Sequence, residues 1–194
     1  AFEQVVDISS RSDNLMMTIA ALSNLAGLAY VQGQLRRGIA ICQQIMDIAT
    51  ERIGRQAPML GKTLFNLGEM LREQGDLDGA LSHLLESAKM METFTEIGLT
   101  ITHMAVARVY LNKGEYQLAQ SYLDKARKYA QATQSLMMDD RLVEVMQVRF
   151  HLHRGELAQA AQWARERGFS GRPPEEILAE AKQNAATFEV FQVE

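Results

Sequence analysis

Four glycines recur at a nearly constant spacing, and each one ends a helical stretch and precedes another. They are Gly33, Gly75, Gly114 and Gly155, separated by 42, 39 and 41 residues. Glycine adopts a positive φ without a steric penalty from Cβ, so it ends helices readily. A bulky residue follows each glycine by two positions, and a small residue follows by five. The bulky residues are Leu35, Leu77, Tyr116 and Leu157, and the small ones are Gly38, Ala80, Ala119 and Ala160. This pattern predicts four helix-turn-helix repeats.

The repeats predict an all-α fold, a right-handed superhelical array of antiparallel helix pairs with a period of about 40 residues. The expected complete pairs are 15–53, 58–92, 96–132 and 139–167, within a single solenoid over residues 1–194. Apolar residues make up 47% of the chain, enough for a continuous core. Residues 1–9 and about 174–188 each look like half of a repeat. We therefore expect a fragment of a longer array, with a small complete repeat protein as the alternative.

Composition argues against several classes of partner. The net charge is −4, and no basic stripe is visible, so we expect no direct contact with nucleic acid and no membrane association. No apolar run has transmembrane length. The one cysteine, Cys42, cannot form an intramolecular disulfide, which favours a reducing, cytoplasmic setting. Its neighbours Ile39, Ile45 and Met46 predict that it is a buried small hydrophobe.

A search for catalytic or metal-ligating patterns gives no candidate. His151 and His153 lie two positions apart, about 200° around a helix axis, so they cannot share one metal ion. His83 and His103 lie on separate predicted helices without nearby ligand spacing. Asp139 is expected to cap the start of its helix. We therefore expect no enzyme, no cofactor and no metal site.

Repeat geometry predicts which side chains would face a ligand. In stacked helix pairs the first helices line the concave side, and positions ten, six and three residues before each glycine look into that groove. The candidate groove residues are Tyr30, Phe65, Glu69, Arg72, Met104, Arg108 and Arg149. Arginine forks bind carboxylate or phosphate groups with two hydrogen bonds, so this ladder could hold an extended peptide or a small polar ligand. The alternative is a solvated face on which Glu69 neutralises an arginine.

Longer segments carry a resemblance to a known family. They are LSNLAGLAYVQGQLRRGIAICQQIMDIA, LFNLGEMLREQGDLDGALSHLLESAKM, MAVARVYLNKGEYQLAQSYLDKARKYA and the closing element AAQWARERGF, which contains Trp163 and Gly168. Together they resemble the tetratricopeptide-like region of MalT-type regulators, which are bacterial transcription activators of the LuxR family. The period here exceeds the 34 residues of an ordinary tetratricopeptide unit. The resemblance covers roughly residues 1–170.

The resemblance implies a STAND-class ATP-binding switch module before this region and a LuxR helix-turn-helix after it. The chain itself contains no G-x-x-x-x-G-K-[ST] loop and no basic recognition helix, so neither ATP hydrolysis nor DNA binding is assigned to it. The implied role is a signal-receiving superhelix. Its implied partners are an inducer small molecule or a regulatory protein or peptide in the groove, and the other modules of the parent regulator. A free-standing tetratricopeptide adaptor that docks a peptide or partner protein is the alternative.

Overall fold

A computed structural model describes residues 14–52, 58–92, 96–132 and 137–168, together with Gly171 and Glu176. The half-repeat expected at residues 1–9 lies outside the described residues, as does all but Glu176 of the helix expected at 174–188. Within the described residues every element is helical, which confirms the all-α fold class.

The helices alternate with short connections in the predicted order. In chain order they are α1 (Leu15–Val31), α2 (Leu35–Arg52), a 3₁₀ turn (Pro58–Leu60), α3 (Gly61–Glu73), α4 (Leu77–Met91), α5 (Glu96–Asn112), α6 (Tyr116–Ala132), α7 (Met137–His153) and α8 (Leu157–Glu166). Helix α7 begins two residues earlier than expected. Asp139 therefore lies in the first turn of α7 rather than at its cap.

All four repeat glycines have the positive φ that the sequence predicts. The φ angles of Gly33, Gly75, Gly114 and Gly155 are 72°, 84°, 74° and 72°. At the second turn, the amide of Gly75 donates to the carbonyl of Arg72 and the amide of Asp76 to that of Leu71, both at 3.0 Å. This pair of hydrogen bonds is the Schellman motif. A Cβ at any of the four glycines would meet nothing within 4 Å, so the backbone conformation alone requires glycine.

The small residues after the turns bring the paired helices close together. A Cβ added to Gly68 of α3 would lie 3.1 Å from the carbonyl oxygen of Ala80 in α4. A Cβ added to Gly38 of α2 would lie 3.3 Å from the carbonyl oxygen of Ala26 in α1. Ala119 is fully buried at the equivalent position of the third pair. Close approach of the two helices at the small residue is therefore shown in the first two pairs, and burial of that residue in the third.

Contacts between helices follow two patterns. The two helices of a pair pack together, as α1 with α2, α3 with α4 and α5 with α6. The second helix of one pair also packs on the first helix of the next, and the first helices α1, α3 and α5 contact one another in sequence.

Cys42 is fully buried against Ala26, Leu67 and Met70, which confirms its predicted placement. Burial raises the pKa of its thiol to about 12.

The chain divides into two compact units, residues 1–146 and 147–194, with the boundary inside α7. The prediction of one uninterrupted solenoid stays a prediction. In the second unit Leu157 is 66% exposed, and Ala160 is the buried residue of α8. The turn before α8 carries a contact of 2.7 Å between His151 Nδ1 and Glu156 Oε2. Among the described helices, none is both long and apolar enough to cross a membrane.

Candidate ligand site on the first helices

Polar side chains join α1 to α3 along the face where these two first helices meet. The hydroxyl oxygens of Ser23 and Thr63 are 2.9 Å apart, and the Asn66 amide donates to the Ser23 carbonyl at 2.9 Å. Lys62 Nζ donates to Asn24 Oδ1 at 2.5 Å. Ser23 lies ten residues before Gly33, at a position predicted to face the groove, but the repeat period does not reveal its partners. These hydrogen bonds fix the register of α1 against α3.

Glu69 of α3 lies at the centre of a charged cluster and is only 2% exposed. Its Oε2 accepts a hydrogen bond from Arg108 Nη2 of α5 at 2.5 Å and a longer one from the Tyr30 hydroxyl of α1 at 3.5 Å. Its Oε1 lies 3.5 Å from Nε of Arg72, one turn further along α3. One carboxylate thus links the first helices of three consecutive repeats.

Glu73 completes the cluster, although its position in the repeat does not mark it as a groove residue. Its Oε1 accepts from the Tyr30 hydroxyl at 3.4 Å and from Nη2 of Arg72. Because it lies two residues before Gly75, it falls outside the predicted groove positions. Its spacing of four residues from Glu69, on one helix face, is the signal that could have found it. The single hydroxyl hydrogen of Tyr30 is therefore shared between two carboxylates.

Burial and charge set the protonation of the cluster. Burial raises the pKa of Tyr30, and the neighbouring Glu69 carboxylate raises it further, so the phenol stays protonated as a donor. Burial by itself would lower the pKa of Arg72, but the carboxylates of Glu69 and Glu73 outweigh it, and the net shift is upward. Arg72 therefore remains a cation inside the cluster.

Three buried atoms of the cluster have no hydrogen-bond partner. They are Glu69 Oε1, Arg72 Nε and Arg108 Nε. A buried polar atom without a partner typically costs about 1–3 kcal/mol. One acceptor and two donors of the cluster therefore make no hydrogen bond, although each of its carboxylates and guanidinium groups takes part in an ion pair.

The structure brings four of the seven predicted groove residues together: Tyr30, Glu69, Arg72 and Arg108. Phe65 is half-buried on α3, one turn before Glu69 on the same face. Met104 of α5 is 6% exposed, so it packs in the interior instead of offering open surface. Arg149 is exposed on α7 and belongs to the second compact unit. Glu69 does neutralise arginines, as the alternative prediction of a solvated face expected, but its side chain is buried and not exposed to solvent. The ligand-binding role of this set stays a prediction.

His103 of α5 is a packed core residue. Its Nδ1 lies 2.7 Å from the Leu99 carbonyl oxygen, to which it donates. Its ring centroid is 5.7 Å from that of Tyr122 and 5.3 Å from that of Tyr129. Burial lowers the pKa of His103. Across the part of the chain that the structure describes, no group of three or more His, Cys, Asp or Glu residues could hold a metal ion.

Stacked helix pairs with a polar first-helix face define a helical repeat domain of the kind that mediates protein interactions. The chain belongs to the family described as the MalT-like TPR region, whose family model matches residues 1–192. This match confirms the resemblance to the MalT-like region seen in the sequence. No curated protein matches the chain.

Solved structures of TPR-like repeats share the fold. The Q17M form of the nearly identical repeats of a Podosopora anserina protein assigned as a kinesin light chain has a TM-score of 0.63 at 17% identity, over 85% of this chain and 81% of that one. A further structure of such repeats gives 0.59 at 18% identity, covering 83% and 79%. BtubC (BKLC) from P. vanneervenii gives 0.58 at 18%, covering 70% and 56%. These identities establish the helical repeat architecture alone.

Proposed function

We propose that this chain is the signal-receiving superhelix of a MalT-like transcriptional regulator of the LuxR family, acting in the bacterial cytoplasm. It binds an inducer or a regulatory protein on the face formed by α1, α3 and α5. It relays that occupancy to a STAND-class ATPase switch and a DNA-binding module outside this segment. Family membership supports the proposal, and the observation that carries it is the Glu69 carboxylate shared by three first helices.

A relay of this kind requires that the ligand bind two global states with different affinity. The Glu69 contacts provide a physical basis for such a difference. Any change in the spacing of α1, α3 and α5 alters the Tyr30 contact or the Arg108 contact with one and the same carboxylate. A ligand that engages either side chain therefore favours one spacing of the repeats over another.

The cluster suits binding better than catalysis. Within it, Glu69 and Glu73 accept hydrogen bonds from Tyr30 and from the two arginines, so its charges neutralise one another. None of these side chains is held as a general base beside a nucleophile. We accordingly propose a non-catalytic, protein- or ligand-binding role.

The proposal is tested by transcript profiling of cells in which the chromosomal gene carries Arg108→Ala. Arg36→Ala is the matched control because Arg36 lies exposed on α2 and is not one of the residues of the cluster. We expect Arg108→Ala to alter the same transcripts as deletion of residues 1–192, and Arg36→Ala to leave them unchanged. If the deletion alters no transcript but removes a bound partner protein, the segment is the adaptor of the alternative reading.

A further inference from the structure

The contacts of Glu69 are unequal, and the shortest one is with the more exposed of its two arginine partners. Arg108 Nη2 lies 2.5 Å from Glu69 Oε2, whereas the Tyr30 hydroxyl and Arg72 Nε each lie 3.5 Å from a carboxylate oxygen. The Arg108 side chain is 27% exposed, compared with 3% for Glu69 and 13% for Arg72. Arg108 is therefore the more exposed of the two arginines in the cluster, and the one that an anionic ligand can reach more readily.

Arg108 also has unused binding capacity. Its one hydrogen bond within the described structure is made by Nη2, and its Nε has no partner. A guanidinium fork presents five N–H donors in a plane and binds carboxylate or phosphate with two parallel hydrogen bonds. Glu69 engages only one corner of that fork. An incoming oxyanion can therefore offer Arg108 a more complete set of hydrogen bonds than Glu69 does.

Removing Arg108 from Glu69 would not leave the buried carboxylate without a counter-ion. Glu69 Oε1 and Arg72 Nε both lack a hydrogen-bond partner and lie 3.5 Å apart. A shift of about half an ångström would turn this ion-pair contact into a hydrogen bond of ordinary length. Two buried atoms would then be satisfied at once, which offsets part of the loss of Arg108. Arg72 also keeps its contact with Glu73.

We propose that Arg108 is an exchangeable anchor for an oxyanion: a carboxylate or phosphate group of the ligand takes Arg108 from Glu69 and so releases α3 from α5. This inference rests on the proposed function and names the ligand chemistry of the same face. Glu69 remains held to α1 and within α3 by Tyr30 and Arg72. The exchange thus converts binding of a charged group into loosening at one junction between repeats, with the preceding junction kept closed by Ser23, Thr63 and Asn66.

The test is a calorimetric titration of the 194-residue chain with sodium phosphate, and separately with sodium acetate, at constant ionic strength set by sodium chloride. Wild type is expected to bind phosphate saturably in the millimolar range. Arg108→Ala should weaken binding at least tenfold. Glu69→Gln should strengthen it several-fold, because a neutral amide competes less well for the guanidinium. Arg36→Ala, which removes an exposed arginine from α2, should stay within twofold.

Further outcomes keep the proposal falsifiable if Glu69→Gln unfolds. Arg108→Lys keeps the charge but lacks the fork, so it should lose at least fivefold in affinity. Saturating phosphate should also speed amide hydrogen exchange in α5 of wild type but not of Arg108→Ala. If both anions bind, the site recognises oxyanions in general. If only phosphate or only acetate binds, the ligand group is a phosphate or a carboxylate, respectively. Equal affinity of wild type and Arg108→Ala, or no saturable binding of either anion, would overturn the exchange.

The two proposals fail in different ways. A chain that binds no oxyanion while Arg108→Ala still alters the transcript profile overturns the exchange and leaves the regulator role in place. The opposite result is oxyanion binding at Arg108 together with a deletion of residues 1–192 that alters no transcript. That result overturns the regulator role and leaves the exchange in place.

Discussion

Glu69 Oε2 and Arg108 Nη2 lie 2.5 Å apart across 39 residues of sequence and join the first helices of the second and third repeats. A second ion pair of the same length, Lys113 Nζ to Asp78 Oδ1, joins residues that are 35 positions apart. The two pairs differ in burial, because the Glu69 side chain is 3% exposed and the Asp78 side chain 88%. Because the two pairs have the same N–O distance, comparing their contributions to stability isolates the effect of burial.

Glu69→Ala should lower the free energy of unfolding by about 1.5–3 kcal/mol, because it removes the carboxylate of Arg108 and leaves Arg72 paired with Glu73 alone. Asp78→Ala removes an exposed pair of equal length and should cost much less than Glu69→Ala, because solvent screens that pair. Urea unfolding followed by circular dichroism measures both values. Equal losses for the two variants would show that burial of Glu69 does not matter energetically.

Gly68→Ala should destabilise the chain by about 1–3 kcal/mol, as overpacking of a closely packed core does. The new Cβ would lie 2.6 Å from Leu84 Cγ and 3.1 Å from the Ala80 carbonyl oxygen. Gly27→Ala is the matched control, since its Cβ would meet only Asn66 side-chain atoms at 3.7 and 3.8 Å. That variant should be stabilised by up to about 1 kcal/mol through its higher helix propensity. Urea denaturation of both variants decides, and a neutral Gly68→Ala would contradict the close approach of α3 and α4.

Gly75→Ala should cost about 1–2 kcal/mol, because its φ of 84° lies in the left-handed region that a Cβ disfavours. No atom lies within 4 Å of the added Cβ, so the cost is purely conformational. Gly75→Asn should lose less, since asparagine tolerates this region better. Thermal unfolding of the two variants measures the difference, and a larger loss for asparagine than for alanine would refute the explanation.

Cys42 should be unreactive toward a thiol-specific disulfide reagent at pH 8 in the folded chain. Its thiol is fully buried, and burial raises its pKa to about 12, so the reactive thiolate is scarce and inaccessible. Labelling should become fast in denaturing urea. Cys42→Ser provides the blank for the assay. Rapid labelling of the native chain would mean that the core around Ala26, Leu67 and Met70 opens readily.

His103 should make stability depend on pH below neutrality. Burial lowers its pKa in the folded state, so folding favours the neutral ring. This contribution is fully present above the unfolded pKa of about 6.5 and is lost as the pH falls through the lower folded value. His103→Phe should therefore reduce the drop in unfolding free energy between pH 7.5 and pH 5, measured by urea titration. His153→Gln, at an exposed position of α7, is the control and should leave the drop unchanged.

The turns could be predicted from the sequence because the requirement for positive φ at Gly33 or Gly75 is a local property of one residue. The groove positions were predicted from period alone, and Tyr30, Glu69, Arg72 and Arg108 do share one cluster. Which side chains pair across 39 residues depends on the axial offset between neighbouring first helices. The repeat period alone does not give that offset. The same limit explains why the partners of Ser23 and the role of Glu73 were missed.

Burial was the hardest property to predict. Met104 occupies a groove position by count, yet helices packed around α5 bury it. Glu69 was expected on a solvated or ligand-facing surface, and it is instead enclosed by the partners that neutralise it.

Helix α8 ends at Glu166, and Gly168 follows with a φ of 73°, so the fourth pair has a shorter second helix than the others.

The central claim, that this face passes its state to an ATPase switch elsewhere in the parent protein, is tested most directly by nucleotide affinity. The measurement is a fluorescence titration of the full-length protein with a labelled ATP analogue. Arg108→Ala should change the Kd for the nucleotide at least fivefold, the lower range of allosteric coupling, although the proposal places the ATP site outside this segment. Arg36→Ala should stay within twofold of wild type. An unchanged Kd for Arg108→Ala, or a full-length protein that binds no ATP, would contradict the account.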